Sequence, residues 1–63
     1  MNLAKLKGLR AEHNYTQKDM AEKLGLTPQS FYQKETGKRE FTASEVFELC
    51  KIFNVQPSIF FDE

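Results

Sequence analysis

Residues 16–37 read T-Q-K-D-M-A-E-K-L-G-L-T-P-Q-S-F-Y-Q-K-E-T-G, and the organisation of the whole chain can be worked outward from them. Thr16 and Thr27 each stand where a helix N-cap belongs. An apolar residue precedes each (Tyr15, Leu26) and another follows four positions later (Met20, Phe31), the spacing of a hydrophobic staple. Pro28 comes directly after Thr27, at the first helical position, where its missing N–H costs nothing. Gly25, after Leu24, is placed to end the earlier of the two helices. Two helices of about eight residues joined by so short a turn must cross steeply. Ala21, in the middle of the first, is small enough to let the second pass at close range.

The same signature recurs on the C-terminal side. Phe41, Thr42 and Val46 repeat the staple, and Thr42 with Glu45 adds a capping box. Val55, Gln56 and Phe60 repeat it once more with Pro57 at the first helical position, although Gln is a poor cap. On the N-terminal side, Leu3, Leu6 and Leu9 or Arg10 share one face of a helix running from about Asn2 to His13. Asn14 suits the left-handed position just beyond it. Val46, Leu49, Cys50 and Phe53 line the buried side of the fourth helix, which stops at Asn54. No stretch alternates apolar and polar residues as a strand would. The expectation is an all-α chain of five helices around one small core.

Sixty-three residues make one domain, 1–63, with an economical core. Cys50 is the only cysteine and His13 the only histidine, so neither a disulfide nor a four-ligand zinc site can form within the chain, and no metal or cofactor is implied. There is no apolar run of about 18 residues, and Met1 to Arg10 lacks a signal-peptide apolar region, so a cytoplasmic protein without membrane contact is expected. Net charge is zero, yet it is unevenly spread. Residues 1–39 carry eight Lys/Arg against four acids, and residues 40–63 carry Lys51 against five. A basic half permits a polyanionic partner without establishing one, because what binds DNA is a local basic face.

The third helix carries the chemistry. Leu26 and Phe31 turn to the core, which leaves Pro28, Gln29, Tyr32, Gln33 and Thr36 along one exposed stripe. A glutamine amide both donates and accepts, matching the N6 and N7 edge that adenine shows in the major groove. Two glutamines a turn apart on an uncharged stripe therefore suit base reading; the plain alternative is solvated helix surface.

At residues 16–37 the chain resembles the phage repressor/Cro (Xre-type) helix-turn-helix family. The residues that carry the resemblance are Thr16-Gln17, Ala21, the Leu24-Gly25-Leu26 turn, Thr27, Phe31 and Glu35-Thr36-Gly37, and it extends through Lys38 and Arg39 to the Val55 region. The resemblance implies a lambda-repressor-like fold whose helix 3 enters the major groove. It implies base contacts at Gln29 and Gln33, and often at Pro28, whose ring can touch a thymine methyl but cannot donate or accept. It implies a phosphate grip at Gln17, where the positive end of helix 2 assists. Thr27, Tyr32 and Thr36 complete the candidate contact set. Lys38 and Arg39 are phosphate or minor-groove contacts, or else a solvated basic loop. In several members of the family an Arg late in helix 1 pairs with the Glu closing helix 3, which maps onto Arg10 and Glu35 as a scaffold pair. Lys34 departs from the pattern, which has an apolar residue there; its stem is expected to lie along the core and lift the ammonium to water or phosphate. Cys50 reads as a small buried hydrophobe and His13 as a helix C-terminal dipole contact.

The leading expectation is sequence-specific binding of double-stranded DNA by a transcriptional repressor, as a weak homodimer or a dimer formed on DNA. Val55, Pro57, Phe60 and Phe61 are the candidate pairing surface. The alternative is a helix-turn-helix module that grips a protein, such as an antitoxin, motivated by the acidic C-terminal half and by Phe60 and Phe61. An enzyme is the weakest reading, since His13 and Cys50 lie on different helices with no third partner evident.

Overall fold

Threonine side chains open three of the helices. In the structure, a computed structural model describing residues 1–61, α1 spans Leu3–Glu12, α2 Gln17–Leu24, α3 Pro28–Glu35 and α4 Ala43–Phe53. The hydroxyls of Thr16, Thr27 and Thr42 accept the backbone N–H groups of Asp19, Ser30 and Glu45, and the Asn2 side chain does the same for Lys5. Each such cap stabilises its helix by ~1 kcal/mol. At α4 the box expected from Thr42 and Glu45 closes in both directions. A second box, unexpected from sequence, closes at α2, where the Asp19 carboxylate accepts the Thr16 N–H at 2.8 Å.

All four α-helices stop by one device. Asn14, Gly25, Gly37 and Asn54 take the left-handed conformation (φ 58°, 71°, 87° and 54°). The next residue's N–H then reaches back five positions: Tyr15 to Arg10, Leu26 to Ala21, Lys38 to Gln33 and Val55 to Cys50, at 2.8–3.0 Å. These Schellman closures satisfy carbonyls that a helix end leaves bare. At three of them the closing residue is apolar and is also the residue preceding the next cap, so one side chain both ends a helix and begins another.

The fifth segment differs from expectation. Pro57–Phe60 forms a single 3-10 turn rather than an α-helix, and Gln56 makes no side-chain cap bond. Without that cap there is little to offset the cost of nucleating a longer helix, and one turn already delivers Phe60 to the core. Its carbonyl accepts the Asn2 N–H, which ties the two ends of the fold together.

The core consists of Leu6, Met20, Ala21, Phe31, Val46, Leu49, Cys50, Phe53 and Phe60, flanked by Leu3, Leu9, Tyr15, Leu26, Phe41 and Ile59 among others. Ala21 is fully buried on α2, and α2 and α3 are the most closely packed pair of helices in the fold. Phe31 meets Phe41 edge to face at 6.0 Å, which places the α3–α4 connection over the core. Burial pushes the Cys50 thiol above its ordinary value. Native Cys50, 8% exposed, is accordingly expected to react with a thiol reagent more slowly than in the urea-unfolded chain. Equal rates in the two states would show that α4 is not seated as described.

Candidate nucleic-acid interface

α3 exposes the residues that the sequence singled out. Pro28, Gln29, Tyr32 and Thr36 are exposed and Gln33 is half-buried, along one stripe of the helix. Thr27 uses its hydroxyl oxygen as a cap acceptor and keeps its O–H free to donate. The Thr36 hydroxyl is committed to its own helix, donating to the Tyr32 carbonyl at 2.8 Å, so its methyl and its oxygen lone pairs are what it can offer a ligand. The backbone N–H groups of Lys38 and Arg39 both donate to the Gln33 carbonyl, at 2.9 and 3.2 Å. This pins the basic loop against the last turn of α3. Arg39 also reaches back to the Ser30 hydroxyl at 3.4 Å, laying its guanidinium along the flank of the helix.

Behind this face lies a charged network. The Arg10 guanidinium meets the Glu35 carboxylate in a two-pronged pair, Nε to Oε2 at 2.9 Å and Nη2 to Oε1 at 3.1 Å. Its third prong donates to the Tyr15 carbonyl at 3.0 Å. Gln17 donates its side-chain amide to the same Glu35 at 3.1 Å. One buried carboxylate on α3 therefore gathers α1 through Arg10 and the first residue of α2 through Gln17. The pairing of Arg10 with Glu35 is as expected. The inward turn of Gln17 was not, and it leaves only part of that amide for a phosphate.

Lys34 corrects its expectation outright. Its ammonium does not rise to water or phosphate; the side chain is buried, and Nζ donates to both oxygens of Glu45 at 2.6 and 2.8 Å. The reason lies in α4, whose capping box already holds the Glu45 carboxylate in place against Thr42 at 2.9 Å. No buried polar side-chain atom among the described residues lacks a partner. His13 caps α1 by donating from Nδ1 to the Leu9 carbonyl at 2.9 Å, and its ring packs against Phe53 at 5.1 Å. The described residues contain no cluster of His, Cys, Asp and Glu that could hold a metal, and no helix long and apolar enough to cross a membrane.

Burial opposes ionisation of Glu45, but the bonds from Lys34 and from the Thr42 N–H outweigh it and hold the carboxyl below its ordinary 4.5. The Thr16 N–H likewise holds Asp19 below 3.8. A carboxyl depressed on folding contributes stability that is complete above its unfolded value and is lost as the pH falls through its folded value. Stability should therefore decline from about pH 5 downward, and Glu45→Gln should shallow that decline. Urea midpoints measured across this range check it; an unchanged slope in the variant would remove Glu45 from the acid response.

Residues 6–60 match the family model described as helix-turn-helix. Over 52 residues, 82% of this chain and 79% of the relative, the sequence is 42% identical to an uncharacterized HTH-type transcriptional regulator of Methanocaldococcus jannaschii. No solved structure matches the chain.

Proposed function

The chain belongs to the helix-turn-helix family, and from that premise we propose that it recognises a specific duplex DNA site and regulates transcription there, with α3 lying in the major groove. The reading takes residues 1–63 as one DNA-binding unit that represses by occupying its operator. One observation carries it. α3 presents an uncharged stripe with two glutamine amides, exposed except for the half-buried Gln33, while ion pairs at Lys34 and Glu35 fasten its other side to the rest of the molecule. A rigid helix with hydrogen-bonding side chains facing outward is what base readout requires. Thr27, the backbone at Gln17, Lys38 and Arg39 flank the stripe at positions suited to phosphates. The protein-gripping alternative loses part of its motive, because Phe60 is 0% exposed and offers nothing to a partner.

Selection of bound duplexes from a random pool should recover a preferred site, which then serves as the reference. Gln29→Ala and Gln33→Ala are each expected to cost ~1–3 kcal/mol on that site and to relax its sequence preference. Lys38→Ala should weaken binding to every duplex alike and lower the salt slope by about one unit. Glutamine variants that lose as much on random DNA as on the selected site would show that α3 is not the reader.

A further inference from the structure

Lys34 and Glu35 are neighbours in sequence, yet they are fastened to different parts of the molecule. Successive residues of an α-helix point about 100° apart around its axis. Glu35 is held by Arg10 of α1 and Gln17 of α2, and Lys34 is held by Glu45 of α4. The buried Phe31 seats this side of α3 in the core, and polar attachments in two directions on either side of it restrict the remaining roll of the helix. The backbone of α3 packs chiefly on α2 and α1, and it meets α4 less closely. The long Lys34 side chain spans that gap. It ends on a carboxylate that is itself immobilised by the α4 cap, both oxygens being engaged.

We infer that Lys34 and Glu45 are positioning residues for DNA reading, an internal strut that sets the roll of α3 and thereby aims Gln29, Tyr32 and Gln33 at base edges. The inference rests on the DNA-reading function proposed above. Neither charge is available to a phosphate, since both side chains are largely buried and spent on one another. Their contribution therefore falls on discrimination between sequences and not on general affinity. Base-edge hydrogen bonds lose strength with small angular errors, and binding constellations tolerate only about 10–20° of misalignment. A strut of this kind is also separable from stability, because an apolar replacement of a buried ion pair is often neutral or stabilising.

The test uses the full chain, the duplex recovered by selection, and a shuffled duplex of equal length. In the double variant Lys34→Met/Glu45→Gln the ion pair is gone, while the glutamine still offers Thr42 an acceptor. The thermal midpoint is expected to stay within about 5 °C of the wild type. The preferred-to-shuffled affinity ratio should fall about tenfold, with affinity for the shuffled duplex and its salt slope unchanged. Lys34→Arg, which keeps a cation opposite Glu45, should retain the ratio. If the double variant does not fold, Lys34→Met alone carries the same comparison, because the Glu45 carboxylate it leaves keeps its bond from the Thr42 N–H. A ratio equal to that of the wild type in the folded variant overturns the inference and leaves the DNA-reading function standing. A uniform loss on both duplexes also overturns it, because it would make Lys34 a phosphate contact. A wild-type chain that prefers no sequence overturns the function and the inference together.

Discussion

Replacing Arg10 by Ala is expected to cost ~3–5 kcal/mol of folding stability, the largest effect of any single polar substitution in the chain. Removing the guanidinium leaves the Glu35 carboxylate, 0% exposed, with one amide from Gln17 and no counter-charge. The guanidinium also donates to the Tyr15 carbonyl while the Tyr15 N–H donates to the Arg10 carbonyl, so the close of α1 loosens as well. Domains of this size are stable by only ~3–9 kcal/mol, and the variant should sit near or below its folding threshold at ordinary temperature. Glu35→Ala should cost less, because the Arg10 side chain it strands is 22% exposed and can turn toward water. The double variant should recover part of the summed loss, since neither charge is then stranded. Urea unfolding of the four proteins closes the cycle. Strictly additive losses would remove the pair as the tie between α1 and α3.

The elements of this fold were legible because local chemistry repeats. Asn14-Tyr15-Thr16, Gly25-Leu26-Thr27 and Asn54-Val55-Gln56 each place a left-handed residue, an apolar residue and a capping position in a row. Those triplets fix where one helix stops and the next begins without reference to anything distant. Helical spacing then picks out Val46, Leu49, Cys50 and Phe53 as the buried side of α4, as found. The Thr16–Asp19 box escapes a pattern that asks for Glu or Gln at the third position, because the shorter Asp serves here. Lys34 departs from its expectation for a different reason. Its partner lies 11 residues on, across a connection with no periodic pattern, and only the packing of α4 brings Glu45 to it. The inward turn of Gln17 has the same origin: its partner on α3 depends on how α2 and α3 cross. Local signals place helices; long-range polar partners follow from the assembly.

Two copies of the chain should occupy a palindromic site together, with half-sites one helical turn apart, and bind it ~10²–10⁴ times more tightly than one half-site binds one copy. One recognition helix reads only a few base pairs, too few to single out a site in a genome. Linkage of two readers by protein contact raises the effective concentration of the second, and the gain multiplies. The reading face is occupied by DNA in such a complex, so the pairing surface must come from elsewhere. Phe60 is buried and drops out of it. Phe61, 59% exposed, and Phe47 on α4, 57% exposed, are the exposed large apolar rings outside the reading face among the described residues. Phe61 borders an open groove that Met1, Leu3, Phe41 and Val46 also line. So small an apolar surface falls well short of the ~1,200 Å² of a stable specific interface, and monomers should prevail in dilute solution. DNA then supplies the missing stability by holding both copies in register. Sedimentation should show monomer or weak dimer alone and a two-to-one complex on the palindrome. Phe61→Asp or Phe47→Asp should lower the cooperativity of that complex and leave the affinity for a single half-site unchanged. A tight one-to-one complex on the palindrome would mean that one copy suffices and that pairing has no part in recognition.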